Sequence, residues 1–146
     1  DMTDPAVAAR MLAYIWPDQT ERVARAEAAI GIARACPPPL DRGDGVAWLA
    51  AQLARPQEPG VTRVIYHSVA LQYFPVEGRK AVRAMIEAAG SDATPTRPLA
   101  WLSMEFPAKV TEAHLTLRTW PGGGAEELLA LAHPHGTWIK WGAAAI

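Results

Sequence analysis

VTRVIYHSVALQYF, residues 61–74, is the stretch on which the reading of this chain turns. An apolar, β-branched run from Val61 to Tyr66 stops abruptly at the polar pair His67-Ser68, the signature of a buried strand with a polar end. A second such run, Leu99 to Phe106, carries Glu105 near its end. Between them Pro75 to Ala89 has helical spacing, with Val82, Met85, Ile86 and Ala89 inward and Gly90 as its stop. Two strands joined by a crossover helix run parallel. His67, Ser68 and Glu105 then gather at the strand carboxyl ends, the edge where open α/β sheets bind ligands.

Upstream, Asp4-Pro5 predicts a helix start whose inward face carries Val7, Met11, Tyr14 and Ile15, and Trp16-Pro17 ends it. A second helix is expected from Asp18 to about Ala35, with Val23, Ala26, Ile30 and Ala33 at three-to-four spacing. Pro37 to Pro39 force an extended segment through Leu40 to Asp44, a natural cap for a third helix over Gly45 to Ala54. Downstream of Pro107 the pattern becomes alternation, Ala113, Leu115 and Leu117 against His114, Thr116 and Arg118, as in a sheet wetted on one face. Turns at Trp120 to Gly124 and His133 to Gly136 separate two further strands, Glu127 to Ala132 and Thr137 to Trp141. The sum is an α/β, three-layer fold. Its mixed sheet is parallel at Val64 and Leu99 and ends in a carboxyl-terminal antiparallel meander, within a single domain over residues 1–146.

Fourteen basic against fifteen acidic residues leave no excess positive field, which argues against nucleic acid and membrane surfaces as partners. Lone Cys36 forms no internal disulfide, so a reducing, cytoplasmic setting is expected. No apolar stretch reaches the roughly 20 residues of a membrane span.

Several residues can carry chemistry. The His67-Ser68 pair can donate or accept hydrogen bonds from a small molecule, or simply bond neighbouring backbone. No nucleophile elbow surrounds Ser68. Asp44 can accept from a ligand, although capping alone explains it. Glu105, His114, His133 and His135 invite a metal reading and hence a metal-dependent hydrolase. Strand spacing near 4.8 Å keeps the outer histidines about 10 Å or more from Glu105, so no metal site is assigned. Six tryptophans, with Trp120, Trp138 and Trp141 in the meander, suit the cover of a small sheet face or an oligomer contact.

Trp16 to Arg22, Asp41-Arg42-Gly43-Asp44 with Trp48-Leu49, Val64 to Ser68 with Gln72-Tyr73, Pro98 to Leu102 with Glu105, Trp120 to Gly123 and His133 to Gly136 together resemble a family of uncharacterised bacterial proteins, domain-of-unknown-function family 2332, in its carboxyl-terminal half. The order of elements, with the Leu40 segment taken as a short strand leading to Gly43-Asp44, also resembles the second half of an S-adenosylmethionine-dependent methyltransferase. That resemblance implies a small-molecule pocket at the strand ends, with Asp44, His67 and Ser68 toward the cofactor and Gln72, Glu105 and His135 toward the substrate. It implies too that family members are about twice as long. The Gly-rich turn that would hold the methyl donor is absent here. This piece is therefore expected to be inactive alone and to leave one sheet edge unpaired, to be covered by the missing amino-terminal half or by another copy. The contrasting expectation is a non-enzymatic interaction or dimerisation module.

Overall fold

A computed structural model describes residues 1–107 and 110–142. The chain divides into two compact units, Asp1–Gly43 and Asp44–Ile146.

The first unit holds two helices, α1 (Pro5–Leu12) and α2 (Thr20–Ala35). Asp4 begins α1 as its sequence suggests: its Oδ1 accepts from the Ala6 N–H at 2.8 Å and Pro5 occupies the first turn. Arg34 of α2 donates through Nε to the Met2 carbonyl at 2.9 Å, tying the two helices' outer ends together. Residues 37–43 form no strand, which corrects the short strand expected at Leu40. Three consecutive prolines present no N–H to a ladder, so an extended path there does not become a paired strand.

The second unit is built on a five-stranded sheet in the order β1 (Arg63–Ser68), β2 (Leu99–Glu105), β3 (Ala113–Trp120), β4 (Glu127–Ala132) and β5 (Ile139–Trp141). β1 and β2 are parallel, and the remaining pairs are antiparallel. The mixed α/β sheet with its terminal meander is therefore as expected. Helix α3 (Gly45–Leu53) precedes β1, and α4 (Val76–Ser91) makes the crossover from β1 to β2. Asp44 caps α3, its Oδ1 accepting from the N–H groups of Val46 at 3.0 Å and Ala47 at 2.9 Å. Among the described residues β1 pairs with β2 alone, so its outer side is a sheet edge. No helix of the described residues is long and apolar enough to cross a membrane.

Helix α4 lies against β2 and β3 and seals one end of that sheet face. Leu49 from α3, Val82 and Ile86 from α4, Leu99 and Trp101 from β2, and Trp120 from β3 form the buried cluster there. Gly90 is not the stop that its position suggests, because α4 continues to Ser91. A Cβ at Gly90 would lie 2.5 Å from the Trp120 indole, so the missing side chain is what lets the last turn of α4 close on that ring.

Candidate ligand-binding site

Side chains alternate across a strand, so Trp101, Ser103 and Glu105 of β2 share the helix-bearing face, and Arg118, Thr116 and His114 stand opposite them on β3. Toward the carboxyl end of β2 that face is polar. A cleft of about 560 Å³ opens there, floored by these six residues and walled by His67, Leu71, Gln72, Arg79, Arg83 and Glu126 among others.

Glu105 is the most firmly held carboxylate in the cleft. Its Oε1 accepts from His67 Nδ1 at 2.8 Å, from the Ala70 N–H at 2.8 Å and from the Leu71 N–H at 3.1 Å. The two backbone donors are presented by the turn after β1, where Val69 takes a left-handed φ of 47°, an uncommon and costly conformation for a β-branched residue. Burial alone would raise the Glu105 pKa. The donors of Ala70, His67 and Leu71 outweigh it, and the group lies below its ordinary value. The other oxygen, Oε2, is buried and has no hydrogen-bond partner among the described residues. An anionic oxygen shielded from water without a partner is costly, and native structures seldom leave one so.

His67 supports Glu105 and has no spare nitrogen. The indole Nε1–H of Trp101, a donor only, points at His67 Nε2 at 2.9 Å. Nε2 is therefore the acceptor, and the ring proton sits on Nδ1, directed at Glu105. With both nitrogens engaged, this imidazole positions a carboxylate and offers no free general base.

The arginines differ in the same way. Arg118 is held by Nε to the Gly124 carbonyl at 2.6 Å and by Nη1 to Glu87 at 2.7 Å, and its guanidinium lies over both Trp101 and Trp120. The Arg118 hydrogen bond is the main reason why Glu87 titrates below its ordinary value, against a smaller opposing effect of burial. Arg79 makes one long bond, 3.3 Å, to the Gln72 carbonyl. Arg83 stands over Trp101 with a loose 3.7 Å pairing to Glu87.

Of the residues expected to form a site, the structure brings His67, Gln72 and Glu105 together in this cleft. Ser68 ends β1 on the opposite sheet face from His67. Asp44 is engaged as the α3 cap, and His135 lies in the β4–β5 turn, its N–H bonded to His133 Nδ1 at 3.1 Å. None of those three lines the cleft. Among the described residues no three His, Cys, Asp or Glu side chains are grouped to hold a metal ion. The sequence reading missed Arg79, Arg83, Ser103 and Thr116. The signal for the last was present in the His114, Thr116, Arg118 alternation, but that polar row faces a cleft under α4 instead of open water.

A protein-family model described as an uncharacterized protein conserved in bacteria, DUF2332, matches residues 1–141. The chain belongs to this family. No curated protein and no solved structure matches it. The DUF2332 match runs through the first unit and into the second as far as residue 141, and includes every residue that lines the cleft.

Proposed function

We propose that the second unit of this DUF2332 chain is a small-molecule-binding domain, whose ligand sits in the cleft over the carboxyl-terminal half of β2 and β3. The observation that carries this reading is Glu105. A strained turn, two backbone N–H groups and a histidine hold its Oε1, while Oε2 is left shielded and unpaired in the wall of a cleft. A ligand hydroxyl or ammonium donated to Oε2 would supply the missing partner. Ser103, Thr116 and His114 add three side chains with no hydrogen bond among the described residues, all facing the same space.

Methyl transfer from S-adenosylmethionine is the finer reading of this site. What supports it is the co-directional β1–β2 pair with the cleft at its carboxyl end; the missing strand at Leu40 removes part of the element order on which it rested. His67 lacks a free nitrogen for base chemistry, so binding is the primary claim and no residue is assigned a catalytic role. The test is ligand-observed NMR with a panel of polar metabolites that includes S-adenosylmethionine, repeated on Glu105→Gln. Binders that lose affinity in the variant support the reading. A panel with no binder, or binders indifferent to the variant, overturns it, and S-adenosylmethionine among the binders selects the methyltransferase form.

A further inference from the structure

Charged side chains of both signs line the cleft, Glu105 and Glu126 against Arg79, Arg83 and Arg118. At the Trp101–Arg118 rung, Arg83 and Arg118 both lie over the Trp101 ring, at 5.3 and 5.4 Å from its centroid. At the Glu105–His114 rung stands the carboxylate with its unpaired Oε2. The two rungs are four strand positions apart, about 13 Å of backbone, and the Ser103–Thr116 rung supplies two hydroxyls between them.

The two arginines of α4 that wall the cleft have spare donors. A guanidinium carries five N–H donors in a planar fork. Arg118 is anchored at both Nε and Nη1, to Gly124 and Glu87, whereas among the described residues Arg79 has one long bond and Arg83 a loose contact with a half-exposed glutamate. Arg79 and Arg83 are four residues apart on α4, hence on one helix face, and both wall the cleft; because α4 runs from the end of β1 back to the start of β2, Arg79 stands about 6 Å nearer the Glu105 end than Arg83, beside Gln72. Two under-used guanidiniums one turn apart, facing two hydroxyls, suit an anion with several acceptor oxygens.

We infer that the ligand of this cleft is a short bipolar molecule, with a phosphate or carboxylate between Arg79 and Arg83 and an ammonium or hydroxyl at Glu105. This rests on the small-molecule reading given above and deepens it by naming the ligand's chemistry. Ser103 and Thr116 hydroxyls donate to the anion, and the Glu105 Oε2 accepts from the far end. Trp101, pinned by His67 and buried beneath the Arg83 and Arg118 guanidiniums, fixes the height of Arg83 along the strands.

The test is a set of NMR titrations of the whole chain, followed at backbone amides, with O-phosphoethanolamine, ethyl phosphate, ethanolamine, β-alanine and propionate. O-phosphoethanolamine or β-alanine should bind at least tenfold tighter than either of its halves and shift the amides of Ser103, Glu105 and Thr116; which of the two does so separates phosphate from carboxylate. Arg79→Gln with Arg83→Gln should remove binding of the anionic compounds. Glu105→Gln should erase the advantage of the bipolar compound over ethyl phosphate or propionate and leave those two unchanged. Cleft binders in the metabolite panel, with no preference for anions and no effect of the arginine variants, would overturn this inference and leave the small-molecule reading standing. No cleft amide moving with any compound of either set would overturn both.

Discussion

The two ends of one sheet face make opposite use of the same strands. At the start of β2, Leu99 meets Trp120 across the ladder, and Val82 and Ile86 of α4 close over them, with Ile86 fully buried. At the other end the inward positions are Ser103, Thr116, Glu105 and His114, and the face stays open as a cleft. Alternation places all of these residues on the same side. Polarity along that one row therefore decides where the core stops and the site begins. Trp101 belongs to both regions, buried in the core cluster and bonded through its indole N–H to His67 of the cleft.

The strongest way to break this contrast is Glu105→Ala. It leaves His67 Nδ1 and the Ala70 and Leu71 N–H groups without their acceptor, and the expected loss is about 3–4 kcal/mol of unfolding free energy in denaturant titrations. A loss under about 1 kcal/mol would mean that the carboxylate does not organise the cleft end.

Arg118→Met comes next. It leaves the Gly124 carbonyl without its donor, leaves Glu87 to Arg83 and water, and removes a cation from two indole faces, for an expected loss of about 1–2 kcal/mol. Gly90→Ala probes the closed end. The added Cβ would sit 2.5 Å from Trp120, and overpacking of that kind costs about 1–3 kcal/mol, offset by about 1 kcal/mol of helix propensity. A small net loss is expected by thermal denaturation, and a net gain would show that Trp120 moves freely.

Acid should act on the carboxylates at both places. Glu105 and Glu87 are held below their ordinary value of 4.5. The unfolded chain thus binds protons first as pH falls, so their contribution to stability is present above that value and is lost as pH drops through the lower folded-state values. The thermal midpoint should be level near neutrality and decline below about pH 4.5, less steeply in Glu105→Gln. The smallest effect belongs to Thr116→Val, a solvated cleft hydroxyl with no bond to lose among the described residues, expected within about 0.5 kcal/mol of the parent.

Much of this was legible before the structure. Val61 to Tyr66 and Leu99 to Phe106 announced parallel strands because their apolar runs and the intervening helical spacing admit few other arrangements, and β1 and β2 begin and end within two residues of those bounds. Asp44 as a cap was equally local. What escaped is non-local. Nothing near Trp101 in sequence says that its N–H would occupy His67, and Gly90 reads as a stop until Trp120, thirty positions on, is seen against it. Arg79 and Arg83 look like a solvated helix face, and only the crossover puts them over the floor of β2 and β3. Leu40 misled because an extended, proline-rich path resembles a strand in composition while lacking the donors to become one.

The small-molecule claim itself is tested most directly by amide spectra of the isotopically labelled whole chain during titration with the polar metabolite panel. Shifts concentrated at Ser103, Glu105, His114 and Thr116, on the open end of the helix-bearing face, are the expected result. Shifts confined to the opposite face, at Leu102, Met104 and Leu117, or no shift with any compound, would contradict the account.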